Sequence, residues 1–205
     1  MKKRLITLII ICVQGLMLMA QETPNEQQAK RIFNIAYKQV FGEQGASLTY
    51  DVNIVGIYRT QGTIWYKGKK QKFVDERVNT WNDGKTAYMA YRKKKTVEIH
   101  QANSDKKDKY SGKFKFQPED FTYHINKDKD GLLLTLKQKK EAKGSIKEVK
   151  ALVDQKTYAP KRLRIKVAFV WTTVNISNFH SGGITDDMFV FPREKFKDWK
   201  YVDKR

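Results

Sequence analysis

The segment from residue 62 to residue 91, GTIWYKGKKQKFVDERVNTWNDGKTAYMAY, constrains the fold of this chain more than any other. It is rich in Ile, Val, Trp, Tyr and Phe, which favour a pleated, half-buried β surface. Gly68-Lys69 and Asn82-Asp83-Gly84 interrupt it, and Asn, Asp and Gly tolerate the positive φ angles of tight hairpins. The segment therefore predicts three consecutive antiparallel strands, and its large aromatic side chains predict a second layer that covers them.

An amphipathic helix is predicted ahead of this meander. Residues 24–41 begin with Pro24 and are followed by Gly42, which are typical start and stop signals of a helix. Apolar side chains recur with helical spacing on one stripe of this segment: Ala29, Ile32, Phe33, Ala36, Tyr37 and Val40. From residue 46 to residue 58 the apolar period changes to two, which predicts a long first strand.

The second half of the chain repeats the strand pattern. Apolar alternation and turn residues predict strands over residues 96–101, 121–126, 132–139, 148–154, 162–170 and 171–179. Residues 102–113 are almost entirely polar and predict a solvated loop. About ten antiparallel strands with one helix predict a mainly β (α+β) fold, and a sheet of that size is expected to be strongly curved.

The N-terminus has the three parts of a secretory signal peptide. Residues 2–4 are basic, residues 5–18 are apolar, and residues 18–20 form a cleavage site. The apolar part is shorter than the roughly 20 residues that a membrane-spanning helix requires. The only cysteine, Cys12, lies inside this part and lacks the small preceding residue of a lipidation site. We therefore predict a cleaved signal peptide over residues 1–20 and one exported domain over residues 21–205.

The charge of the chain restricts its partners. Lys and Arg number 41 against 22 Asp and Glu, a formal net charge of +19. Such a field favours anionic membranes, acidic glycolipids or acidic proteins as partners, whereas export argues against nucleic acid. The lysines are dispersed along the chain, so a solvated surface without a dedicated binding patch is the alternative.

Catalytic and metal-binding motifs are absent from the sequence. Residues 126–131 begin like a calcium loop, but Lys137 stands where that loop needs a bidentate Glu, which favours a hairpin turn. His100, His124 and His180 do not have the spacing of metal ligands. No nucleophile elbow, zinc-protease motif or phosphate-binding glycine loop occurs. We therefore predict a protein that is not an enzyme and that uses no cofactor and no metal.

Several segments, in their order along the chain, carry a resemblance to a known family. They are the signal peptide, the amphipathic helix, residues 62–67 (GTIWYK), residues 83–88 (DGKTAY), residues 189–192 (FVFP) and the late pair Val202-Asp203. Together they resemble the LolA-like periplasmic lipoprotein carriers over essentially all of residues 21–205. The resemblance implies an incomplete antiparallel β-barrel of about ten to eleven strands, covered by the N-terminal helix, around an apolar cavity for acyl chains.

The resemblance also implies a function. It is that of a monomeric periplasmic chaperone that ferries acylated lipoproteins from an inner-membrane lipoprotein-releasing transporter to an outer-membrane acceptor. Gly68-Lys69 stands where the best-known branch carries an Arg-Pro latch, and residues 102–113 are too polar to cover a cavity, so we expect the lid to be the N-terminal helix alone. The alternative is a basic periplasmic module that binds a free anionic lipid or glycolipid, or docks on a membrane or protein surface.

Alternating strand positions and the apolar stripe of the helix supply the expected cavity lining. The predicted ligand-binding residues are Phe33, Ala36, Tyr37, Val40, Tyr50, Val52, Ile64, Tyr66, Tyr88, Leu134, Ile165 and Val167. For each of them, ordinary packing in a closed core is the alternative role.

Overall fold

The structure, a computed structural model, describes residues 22–54, 58–104 and 116–205. The predicted signal peptide lies outside the described residues, as does most of the predicted loop over residues 102–113. None of the helices in the described part combines the length and the apolar character needed to span a bilayer.

The N-terminal helix α1 (Pro24–Phe41) has the predicted boundaries. Thr23 caps its start, because the Thr23 Oγ1 accepts a hydrogen bond from the backbone N–H of Glu26 at 3.2 Å. Gly42 ends it and donates its backbone N–H to the carbonyl of Lys38 at 2.9 Å. The apolar stripe faces the sheet, so that Ala29, Ile32 and Val40 are buried.

Twelve β-strands form in the described residues, and they belong to one sheet. Their bounds are β1 (Ala46–Ile54), β2 (Tyr58–Lys67), β3 (Lys70–Asp75), β4 (Val78–Asn82), β5 (Thr86–Tyr91), β6 (Thr96–Gln101), β7 (Phe121–Asp128), β8 (Gly131–Gln138), β9 (Ile146–Val153), β10 (Pro160–Val167), β11 (Val170–Ser181) and β12 (Lys200–Asp203). The strand order is β12-β6-β5-β4-β3-β2-β1-β11-β10-β9-β8-β7. All neighbours are antiparallel except β12, which lies parallel to β6.

The central meander has one more turn than the sequence predicts. The strand expected over residues 70–82 is divided into β3 and β4 at Glu76-Arg77. The turn is made by Asp75, whose Oδ1 accepts hydrogen bonds from the backbone N–H groups of Arg77 and Val78, both at 2.7 Å. Because this Asx-type turn contains neither Gly nor Asn, the prediction of three strands was wrong at this point.

The sheet is open, because its edge strands β7 and β12 are not paired with each other. An open, mostly antiparallel sheet covered by one N-terminal helix confirms the predicted mainly β, incomplete-barrel fold. The strand count exceeds the predicted ten to eleven because of the Asp75 turn and because β12 is only four residues long. So short a segment is too small to display an alternating pattern.

Apolar side chains form three clusters along the sheet. The first lies between α1 and β7 to β10 and includes the fully buried Ile32, Leu134 and Leu136. The second joins β4 to β6 with the C-terminal segment through Trp81, Phe191 and Phe196. The third lies on β1, β2, β3 and β11 around Leu48, Tyr50 and Ile64. The sheet is thus covered by two different segments, α1 over one part and residues 186–199 over another.

Candidate functional site

An apolar cavity of about 360 Å³ lies beneath α1, between the first and third clusters. Its lining consists of aliphatic and aromatic side chains and one proline, and the only side-chain polar atoms it contains are tyrosine hydroxyls. Cavities of this size fall in the range that binds small apolar ligands. The lining suits a hydrocarbon chain, and among the described residues its only ionisable groups are tyrosine hydroxyls.

Most of the sequence-predicted residues border this cavity. From α1 and from strands β1, β2 and β8, the lining includes Phe33, Ala36, Tyr37, Val40, Tyr50, Val52, Ile64, Tyr66 and Leu134. The helix contributes its apolar stripe, and β1 contributes side chains two residues apart on one face. The geometry therefore brings nine of the predicted residues to one place, and their contact with a ligand stays a prediction.

Three predicted residues lie elsewhere. Tyr88 on β5 packs in the second cluster, where its ring stacks on Phe191 at 4.5 Å and its hydroxyl accepts a hydrogen bond from Arg193 at 3.2 Å. Ile165 and Val167 on β10 pack against the first cluster. The alternation predicted for these strands is present, but the C-terminal segment covers β5, and the β10 residues that reach the cavity are Pro160 and Leu163.

Other lining residues were missed by the sequence reasoning. They are Phe41, Leu48, Phe73, Ala151, Val153, Pro160, Leu163, Val174 and Ile176. Phe41 lies four residues after Tyr37, and Leu48 lies two residues before Tyr50, so the helical and strand periods that selected those neighbours also mark these two. Phe73 and Pro160 could not be found this way, because their position depends on strand order.

An aromatic ridge runs along α1 at the border of the cavity. Ring centroids are 5.8 Å apart between Phe33 and Tyr37 and 4.7 Å apart between Tyr37 and Phe41. The last ring contacts Tyr66 on β2 at 4.8 Å. Tyr37 is 43% exposed and Phe41 is 38% exposed although both line the cavity, so the ridge borders the cavity opening.

Both ends of α1 are tied to the sheet. The Asn25 side chain donates to the Ile125 carbonyl at 2.9 Å and accepts from the Ile125 N–H at 3.0 Å. Because β7 is an edge strand, this amide takes the place of a neighbouring strand at that residue. At the other end, the Gln39 side chain donates to the carbonyl of Thr157 at 2.7 Å. The ties position the helix over the cavity.

Tyr50 is the most deeply placed polar group of the lining. Its ring stacks on Phe73 at 5.5 Å, and its hydroxyl lies against Gly62, where a Cβ atom would come within 2.5 Å of the Tyr50 oxygen. The hydroxyl is buried without a hydrogen-bond partner among the described residues. Burial, and then the Asp75 carboxylate, raise the pKa of Tyr50 well above its usual range.

Tyr66, a half-buried tyrosine of the lining, also stays neutral, since desolvation raises its pKa to about 12. An uncharged lining is what a hydrocarbon chain requires. Across the described residues, no group of three His, Cys, Asp or Glu side chains could hold a metal ion. Residues 126–131, which begin like a calcium loop, form the β7–β8 turn, where the Asp130 N–H donates to the Asp128 carboxylate at 3.0 Å.

Comparisons with known proteins place the fold. No protein-family model matches the chain, and no curated protein matches it. Among solved structures, an uncharacterized conserved protein from Thermus thermophilus is similar, with a TM-score of 0.60 and 11% identity over 86% of this chain and 99% of that chain.

Two further solved structures are similar to the chain. A chain of the Pseudomonas aeruginosa MucA/MucB complex gives a TM-score of 0.50 at 10% identity over 82% of this chain and 62% of that chain. A LolA superfamily protein from Nitrosomonas europaea gives 0.38 at 8% identity over 80% and 97%. At these identities the similarity concerns the fold alone. The chain therefore shares its fold with the Thermus thermophilus protein, and the LolA-like family implied by the sequence resemblance stays a prediction.

Proposed function

We propose that this protein binds the acyl chains of lipoproteins in the cavity under α1 and carries them through the periplasm from the inner to the outer membrane. The observation that carries the proposal is a cavity of about 360 Å³ with an entirely apolar and aromatic lining. Each methylene group transferred from water to such a site stabilises the complex by about 0.8 kcal/mol, which is ample for capture of a chain. The role is binding and not catalysis.

The open border of the cavity supports a carrier. A carrier must release its cargo to an acceptor, so the bound chain has to leave without unfolding of the protein. Tyr37 and Phe41 are partly exposed at the border, and side-chain rotation there opens a path without breaking the sheet. In this proposal an inner-membrane lipoprotein-releasing transporter loads the protein and an outer-membrane acceptor unloads it.

A second candidate function follows from the charge of the chain. A net charge of +19 suits a module that binds a free anionic lipid or glycolipid, with its chain in the same cavity and its headgroup near basic side chains. Both functions use the cavity, and they differ in what is attached to the acyl chain.

The experiment that separates them is identification of the ligand that copurifies with the protein from the periplasm of an expressing bacterium. Mass spectrometry of the intact complex is expected to show an acylated protein for the carrier. A phospholipid or lipid A in its place supports the second function. An empty protein that also fails to bind an apolar fluorescent probe would overturn both.

A further inference from the structure

The turn between β10 and β11 exposes a large aromatic side chain. Val167 pairs with Val170, so Ala168 and Phe169 form a two-residue turn. Phe169 is 86% exposed, and neither turn residue is polar. Ala168 has a φ of 52°, in the left-handed region that favours Gly or Asn. The hairpin thus presents a phenyl ring to solvent at a position where small polar residues are usual.

Basic side chains surround Trp171, which lies two residues after Phe169. The Trp171 ring centroid lies 4.8 Å from the Arg164 guanidinium, 5.5 Å from the Lys150 ammonium and 5.8 Å from the Lys166 ammonium. One acidic residue, Glu148, lies among them, 3.5 Å from Lys150. We call Phe169, Trp171, Lys166, Arg164 and Lys150 the hairpin surface. It has an exposed ring at its tip and an excess of positive charge behind it.

The edge of the sheet that carries this hairpin is the basic one. The antiparallel registers place the turns at residues 76–77, 92–95 and 139–145 on the same edge as the β10–β11 turn. The turns of this edge contain eight Lys and Arg and two Glu. The turns of the opposite edge, at residues 68–69, 83–85, 129–130 and 154–159, contain four Lys and three Asp. Among these turns of the described part of the chain, positive charge is therefore concentrated on the side of the exposed ring.

We propose that the hairpin surface docks the protein on an anionic lipid bilayer, with Phe169 inserted between the lipids. Trp171 then lies at the level of the headgroups, where Trp is favoured, and the basic side chains contact lipid phosphates. Each Lys or Arg held near an anionic membrane contributes about a fivefold increase in affinity. The docking does not depend on what the cavity holds.

A bilayer fits this surface better than an acidic protein does. A stable protein interface buries roughly 800 Å² on each partner, whereas the apolar part of the hairpin surface consists of two rings, Phe169 and Trp171, at the end of a narrow turn. Insertion of a single ring is enough for reversible docking on a membrane when several cations act with it. The combination of one inserted ring with flanking cations therefore points to lipid.

Flotation with vesicles of equal parts phosphatidylglycerol and phosphatidylcholine tests the proposal. Phe169→Ser is expected to weaken binding about tenfold, because a buried aromatic ring is lost from the bound state. Val190→Ser, which removes a side chain that is 66% exposed on another surface, is the matched control and is expected to bind like wild type. All variants share the same N-terminus, so residues 1–20 contribute equally to each.

Two double variants test whether binding depends on the basic residues of the hairpin surface or on the net charge of the whole protein. Arg164→Gln with Lys166→Gln is expected to weaken binding more than tenfold. Lys129→Gln with Lys156→Gln removes the same charge from the opposite edge and is expected to have a much smaller effect. Equal effects of the two pairs, or unchanged binding of Phe169→Ser, would overturn the proposal. The proposal would also be overturned if the wild-type protein did not bind vesicles and instead used Phe169 to self-associate or to bind an acidic protein.

Discussion

The ring of Phe41 at the end of α1 meets the ring of Tyr66 on β2 edge to face, with centroids 4.8 Å apart and planes at 64°. The contact joins the C-terminal end of the covering helix to the strand across the cavity. Phe41 is also 38% exposed, and the contact therefore lies where the cavity borders solvent.

Removing this contact is expected to speed ligand exchange. Phe41→Ala removes the ring pair with Tyr66, worth about 0.5 to 1.5 kcal/mol, together with the pair with Tyr37, so an apolar fluorescent probe should dissociate at least about two to ten times faster. Stopped-flow displacement of the probe measures the rate. Phe169→Ala, which removes an exposed ring outside the cavity, is the control and should leave the rate unchanged. Equal rates for Phe41→Ala and wild type would show that exchange occurs elsewhere.

A carboxylate placed in the cavity is expected to block loading without unfolding the protein. Val174 lines the cavity and is only partly buried, so Val174→Glu can keep its charge in contact with water while excluding an acyl chain. Asn175→Glu places the same charge on the exposed face of the same strand and is expected to load normally. Loading is measured by binding of an apolar fluorescent probe, and folding is measured by thermal melting of both variants. If Val174→Glu folds cooperatively and still binds the probe as wild type does, the proposed site is contradicted.

The bonds between Asn25 and Ile125 are expected to hold the lid. Asn25→Ala leaves two backbone groups of the β7 edge without their partner, which should lower the free energy of unfolding by about 1 to 3 kcal/mol. It should also raise the hydrogen-exchange rate of the Ile125 amide. Asn34→Ala, on the exposed side of α1, is the control. An unchanged exchange rate at Ile125 would mean that the tie does not restrain the helix.

The buried hydroxyl of Tyr50 is expected to lower the free energy of unfolding of the ligand-free protein. Its hydroxyl is buried without a partner among the described residues, so Tyr50→Phe should raise the free energy of unfolding by about 1 kcal/mol while the stacking on Phe73 is kept. Tyr37→Phe alters a hydroxyl on a side chain that is 43% exposed and should have little effect. Denaturant unfolding of both variants gives the comparison, and a loss of stability in Tyr50→Phe would reveal a hydrogen bond to that hydroxyl.

The half-buried Tyr66 is expected to make the free energy of unfolding depend on pH in the alkaline range. Its pKa is raised from 10.0 to about 12 by burial, so the folded state holds its proton more tightly than the unfolded state does. The contribution to stability is complete below pH 10 and is lost as the pH rises through about 12. It amounts to at most about 3 kcal/mol, since one pKa unit corresponds to about 1.4 kcal/mol.

Lysine side chains also titrate between about pH 10 and pH 12. The effect of Tyr66 is therefore measured as a difference between wild type and a variant that lacks its hydroxyl. The free energy of unfolding of wild type minus that of Tyr66→Phe should be constant up to pH 10 and should then fall. A difference that stays constant to pH 12 would show that the hydroxyl of Tyr66 is not desolvated in solution.

Local pattern was sufficient for α1, for most of the strands and for one wall of the cavity. Pro24, Gly42 and the apolar stripe between them predicted α1 at its observed bounds, since capping and helical spacing act within a few residues. Alternation on β1 and β2 likewise placed Tyr50, Val52, Ile64 and Tyr66 on the face that lines the cavity. A period of two decides which side chains share a face, whatever the sheet packs against.

Tertiary structure alone decided what covers each part of that face. Tyr88 alternates as Tyr66 does, yet the C-terminal segment packs Phe191 on it, while α1 leaves a cavity over Tyr66. Sequence could not distinguish the two, because the pairing of β12 with β6 and of β1 with β11 joins segments more than 100 residues apart. The sequence by itself therefore determined which residues are apolar and on which face, and only long-range packing decided where that face is filled and where it stays open.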